Sequence, residues 1–127
     1  MATATSLLLC NLVYADPVSQ DVTLLGVFTG LKATRFPTPA RDFSIYTLLV
    51  GEPNETGDLV LECRDVSTGE LCAEAKTRQQ LGHGGKRQVH IRLGELRFPR
   101  PGAYEFALTF DGELVGQQTI LVSEASR

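Results

Sequence analysis

The sequence predicts an all-β domain, an antiparallel β-sandwich of seven to eight strands. Short runs of alternating or β-branched residues recur along the chain, and Gly/Pro/Asx clusters separate them at regular intervals. No twelve-residue stretch holds a convincing 3.6-residue period. Even spacing of short strands with such turns is the pattern of a sandwich or barrel. At 127 residues, 43% hydrophobic and 21% charged, the chain has the size of one domain, 1–127. A chain of ~100–150 residues can bury enough surface to need no metal or disulfide. A net charge of -3 and the hydrophobic content exclude a disordered chain. No apolar run approaches the ~20 residues that span a bilayer, and a pI near 5.3 opposes generic nucleic-acid binding.

Eight strands are expected: 5–14, 21–31, 43–50, 58–66, 70–78, 86–95, 103–110 and 113–122. The first contains Leu7 to Val13, which could be a signal h-region or, with Cys10, a lipoprotein start. No Lys or Arg precedes Lys32, so the charged n-region is missing; a buried first strand is expected. For 58–66 and 70–78, aligning the apolar faces sets Cys63 opposite Ala73 and Glu62 opposite Glu74. Ser67-Thr68-Gly69 then forms the loop, with Gly69 left-handed. Cys63 points inward and Cys72 outward, so no bridge is expected between them. Three free thiols fit the cytoplasm.

The last two strands carry the strongest local signal. Tyr104, Phe106, Leu108 and Phe110 line one face, and Asp111-Gly112 predicts a type I′ turn pairing Phe110 with Glu113. That register sends Ile120 and Val122 outward unless a bulge intervenes, and Gly116 is the expected place for one. Phe98-Pro-Arg-Pro-Gly-Ala-Tyr104 resembles the corner before the penultimate strand of immunoglobulin-like and fibronectin-like sandwiches. Tyr104 is therefore the expected structural corner, its hydroxyl bonded back to upstream backbone.

Candidate chemistry is sparse. His83 and His90 stand seven residues apart, which matches no zinc spacing. In 88–93, inward Val89, Ile91 and Leu93 send Gln88, His90 and Arg92 outward. Gly82-His-Gly-Gly-Lys86 leads into a strand and lacks the Ser or Thr of a phosphate-binding loop. Glu62 and Glu74 read as an exposed ladder neutralised by Arg64 and Lys76, and Asn54-Glu55-Thr56 as a sequon without meaning in a cytosolic chain. No catalytic residue, cofactor site or metal site is predicted.

Charge layout says more. Residues 42–74 carry eight acidic and one basic residue, and residues 76–100 seven basic and one acidic. Placed apart on the surface, these blocks would polarise the domain toward a partner; on neighbouring strands they would cancel. Ser6 to Tyr14 and Thr47 to Val50 are apolar on both faces, so a loop such as 32–42 or another chain must cover the outer one.

Cys10-Asn11 with Asp16, Thr23-Leu-Leu-Gly-Val-Phe28, Phe36-Pro37, the segment 61–65, Gly94-Glu-Leu-Arg-Phe-Pro99 and Asp111-Gly-Glu-Leu114 together resemble a family of small bacterial proteins of unknown function, each one β-rich domain. The resemblance implies a bacterial origin, an accessory role and an amino terminus retained in the fold, and it transfers no catalytic residue. The expectation is a non-enzymatic adaptor or structural subunit binding another protein, or a second copy, with Lys86, Arg87, His90 and Arg92 as candidate interface. A small-ligand or carbohydrate-binding module is the alternative. Neither a membrane nor nucleic acid is expected as a partner.

Overall fold

The computed structural model describes residues 2–125; Met1, Ser126 and Arg127, at the ends of the expected 1–127 domain, lie outside the described residues. The described residues form nine strands and no helix: β1 (Thr3–Ala15), β2 (Val22–Phe28), β3 (Gly30–Ala33), β4 (Arg41–Val50), β5 (Thr56–Asp65), β6 (Leu71–Gln80), β7 (Lys86–Leu96), β8 (Gly102–Phe110) and β9 (Glu113–Glu124). They make a four-stranded sheet, β2-β1-β4-β7, and a five-stranded sheet, β3-β9-β8-β5-β6. Every pairing is antiparallel except β3 with β9.

Nine strands replace the expected seven to eight because 21–31 is two strands. Val22–Phe28 pairs with β1, and the chain then crosses at Thr29 so that Gly30–Ala33 pairs with β9 in the other sheet. Inside β2, Gly26 takes φ +70, and the Asn11 side chain lies where a Cβ would stand.

The core is built from the inner faces. Leu7, Leu9, Phe43, Ile45, Leu49, Val89 and Leu93 come from the four-stranded sheet. Leu59, Leu61, Cys63, Phe106, Leu108 and Phe110 meet them from the five-stranded one. Phe43 joins the layers through edge-to-face contacts with Phe28 (5.6 Å) and Phe106 (5.9 Å), an arrangement the ring quadrupoles favour. Thr47 is buried among them with its polarity met, since its hydroxyl donates to the Ser6 carbonyl. The register shift between Ala4 and Leu7 leaves that carbonyl available.

The hairpin registers follow the face pattern. Cys63 pairs with Ala73, Glu62 with Glu74, and Gly69 sits at φ +75. Asp111 (φ 50) and Gly112 (φ 84) form the I′-type turn that pairs Phe110 with Glu113. Leu108 faces Gly116 while Thr109 faces Leu114, so Val115 is the extra residue of a bulge and Ile120 and Val122 return to the core.

Cys72 departs from expectation. A second shift makes Leu71 the partner of Arg64, which leaves Cys72 as an extra residue beside Cys63. The bulge turns its side chain from solvent to the core margin, where it is half-buried.

Candidate interaction face

Between the register shifts near Ala4 and Phe43, the outer face of the four-stranded sheet is built from the even-numbered residues of 8–14, 44–50 and 86–92. The cross-strand row Val27-Cys10-Ser44-Arg92 runs across it, and beside it runs Leu8-Tyr46-His90. Leu12 pairs with Leu25 on the same face, and Tyr14 with Thr23. Leu12 is 53% exposed, Tyr14 52%, and Leu25 and Val27 50% each. These four stand together on two hydrogen-bonded strands, so half of each apolar side chain faces water in one contiguous patch. Leu8, Tyr46 and Leu48 extend the patch half-buried, and Tyr46 donates its hydroxyl to Gln88 Oε1 at 3.1 Å.

Loop 34–40 does not cover this face. Thr38 ties it to Phe98: the Thr38 amide donates to the Phe98 carbonyl at 3.0 Å, and the Phe98 amide donates to Thr38 Oγ1 at 2.9 Å. The first strand therefore faces the core through Leu7 and Leu9; its other side is buried at Cys10, beside buried Ser44, and open at Leu12 and Tyr14.

The charge blocks largely cancel in ion pairs, two of them across neighbouring strands. Arg78 pairs with Asp58 (2.8 Å), Lys76 with Glu74 (3.7 Å), Arg92 with Asp42 (3.0 Å), and Arg100 with Asp65 (2.8 Å) and Glu70 (3.8 Å). Each joins a cation from 76–100 to a carboxylate from 42–74. Glu62, opposite Glu74, is neutralised by Arg64 two residues on, at 3.2 Å. Within 76–100 this leaves Lys86, Arg87 and Arg97 without a carboxylate partner among the described residues. Arg97 donates instead to the Thr38 carbonyl.

Of the candidate interface residues, Lys86, Arg87 and His90 are exposed together on one wall of a groove of about 590 Å³. The opposite wall is the β1–β2 turn, through Ala15, Asp16, Pro17, Gln20 and Val22. Asp16 is committed to that turn: its Oδ1 accepts the amides of Val18 (2.8 Å) and Ser19 (3.0 Å), which hold its carboxyl below the usual range. Arg92 lies outside the groove, held by Asp42. That carboxylate also accepts the Glu95 amide at 2.8 Å, and the Glu95 and Arg92 bonds lower its pKa. The even-numbered face of β7 was legible in its period-two pattern; the turn that forms the other wall was not.

Tyr104 lies on the opposite sheet, fully buried, with its ring against Phe98 at 4.7 Å. Its hydroxyl donates to the Arg100 carbonyl at 2.6 Å and accepts the Arg100 amide at 3.2 Å. Beside it, buried Asp65 accepts from Arg100 Nε and from the Ser67 hydroxyl (2.7 Å) and amide (2.9 Å). Arg100 and then Ser67 hold its carboxyl down to about 2. This cluster ties the corner to the β5–β6 turn. Among the described residues, no three His, Cys, Asp or Glu side chains converge as a metal site would require.

The fold is similar to parts of much larger proteins. The alkylpurine DNA glycosylase AlkC of Pseudomonas fluorescens, solved with DNA containing an abasic-site analogue, aligns at a TM-score of 0.58 with 13% identity, over 95% of this chain and 30% of its own. A β-glucosidase from Listeria innocua aligns at 0.54 with 11% identity, over 97% of this chain and 16% of its own. A β-glucuronidase of glycoside hydrolase family 2 aligns at 0.51 with 13% identity, over 92% of this chain and 11% of its own. At these identities the likeness concerns the fold alone, and this chain spans less than a third of each. No curated protein matches the sequence. A family model does match, over residues 5–123, and the chain belongs to that family of unknown function, DUF6941.

Proposed function

We propose that this domain is a non-enzymatic protein-interaction or adaptor module of immunoglobulin-like, fibronectin-like type, acting in the cytoplasm. The observation that carries the reading is the uncovered apolar patch of Leu12, Tyr14, Leu25 and Val27. Contiguous apolar surface of that kind marks an association site in soluble proteins, and a Tyr such as Tyr14 within it is the residue type that most often dominates binding energy. The fold reading draws support from the order β1-β4-β7 packed on β9-β8-β5-β6, with β3 parallel to β9 and a Tyr corner before the penultimate strand. On that reading β2 is an inserted hairpin strand that widens the face. Three free thiols support a reducing compartment.

Affinity capture from the organism of origin tests this, comparing wild type with Leu12→Glu/Leu25→Glu. Half-exposed strand positions accept a charge without loss of the core, so both proteins should melt alike. The expected result is one stoichiometric protein on wild type, absent from the variant. After its purification, amide-exchange protection should be confined to 8–14 and 23–27. Recovery of nucleic acid or saccharide in place of a protein, or equal capture by the variant, would overturn the reading. A saccharide stacked on Tyr14 would point to the carbohydrate-binding alternative.

A further inference from the structure

We infer that the groove between the β1–β2 turn and Lys86–His90 receives an extended acidic segment of a partner protein. Such a segment would alternate carboxylates with apolar residues, so that one strand reads the cationic wall and the apolar face together. This rests on the interaction reading above and specifies the chemistry of the partner.

The first support is where charge is left over. Lys76, Arg78, Arg92 and Arg100 are neutralised in place by carboxylates. Lys86 and Arg87 are adjacent, exposed and unpaired among the described residues, and both line the groove with His90; Lys86 and His90 share the outer face of β7, whereas Arg87 alternates to its other side. Unpaired cations on a shaped wall attract carboxylates, which steer encounter and fix register.

The second support is what surrounds them. Ala15, Pro17 and Val22 make much of the opposite wall, and Tyr14, Leu12 and Leu25 continue from it as open apolar surface. A ligand of carboxylates alone would leave this side unused. A nucleic acid fits less well: its affinity rests on many phosphate contacts, whereas only two unpaired cations line the groove.

Fluorescence anisotropy with a labelled peptide alternating Glu and Val tests the assignment. An alternating Lys–Val peptide, an all-Glu peptide and single-stranded oligothymidylate serve as comparisons. The Glu–Val peptide should bind, weaken as salt rises, and lose roughly tenfold or more in affinity with Lys86→Glu/Arg87→Glu. Lys76→Glu/Arg78→Glu, which alters cations already paired on the other sheet, should leave binding unchanged. Absence of binding, indifference to Lys86→Glu/Arg87→Glu, or equal binding of oligothymidylate or all-Glu peptide would overturn the inference. So would concentration-dependent dimerisation abolished by the same substitutions, which would assign the groove to a second copy. If the peptide fails to bind while Leu12→Glu/Leu25→Glu still loses its captured protein, the interaction reading stands and the acidic segment falls. If the peptide binds as expected while capture is indifferent to that variant, the groove stands and the face falls.

Discussion

The Tyr104 hydroxyl bonds both backbone groups of Arg100, donating to its carbonyl at 2.6 Å and accepting its amide at 3.2 Å. One side chain at the start of β8 thus closes the Pro99–Pro101 corner on itself. Tyr104→Phe keeps the ring against Phe98 and deletes both bonds, leaving two backbone groups without their partner. The expected loss is about 1–3 kcal/mol, two bonds' net worth. Denaturant unfolding should show a lower midpoint at unchanged slope, and an unchanged midpoint would mean the corner carries no stability.

Asp65 gives the fold an acid dependence. Its carboxyl is held down to about 2 by the Arg100 and Ser67 hydrogen bonds, against an unfolded value near ~3.9. A depressed folded pKa means stability that is fully present above the unfolded value and lost as pH falls through the folded one. Wild type should therefore lose stability between about pH 4 and pH 2 more steeply than Asp65→Asn, which lacks the ionisable group. Parallel acid-unfolding curves for the two proteins would contradict this.

What the sequence made legible was local, and what it concealed was set by distant contacts. Asp111-Gly112 fixes its hairpin through positive φ at two successive residues, a demand readable in the residue types. The Cys63–Ala73 register follows from two alternating faces and one glycine. The split of 21–31 leaves no such mark: both halves alternate, and the break arises because β9 recruits Gly30–Ala33 while β1 keeps Val22–Phe28. The site divides the same way. Period two places Lys86 and His90 on the outer face, but only the folded ribbon brings Ala15–Val22 across from them. Arg92 shares their pattern, yet Asp42, freed by the shift between Arg41 and Phe43, removes it from the free charge.

The three thiols should separate by reactivity. Cys10 and Cys63 are buried, and Cys72 is half-buried beside Cys63 on its bulge. Burial raises all three pKa values, and Cys63, with the Cys72 thiol next to it, reaches about 12. The thiolate is the reactive form, so Cys72 should label first with a maleimide near neutral pH, more slowly than a free cysteine. Cys10 and Cys63 should label only when the chain unfolds. Mass spectrometry of the labelled peptides reads this directly, and rapid native labelling of Cys63 would contradict its place in the core.

Gly116 tests how closely the sheets approach. Its backbone has no positive φ, so a side chain is not excluded by conformation; a Cβ there would instead stand 2.9 Å from the Ala4 Cβ on β1. A strand interior ordinarily favours Ala over Gly, so without that contact Gly116→Ala would stabilise. With it, the two layers must part or the β9 bulge must shift, at a cost of roughly 1–3 kcal/mol for overpacking. The melting temperature should fall in Gly116→Ala and recover in the double variant with Ala4→Gly, which removes the opposing methyl. Additive losses in the double variant would show that the residues do not meet. Recovery would locate the tight contact between β1 and β9, with Gly116 conserving the space that Ala4 fills.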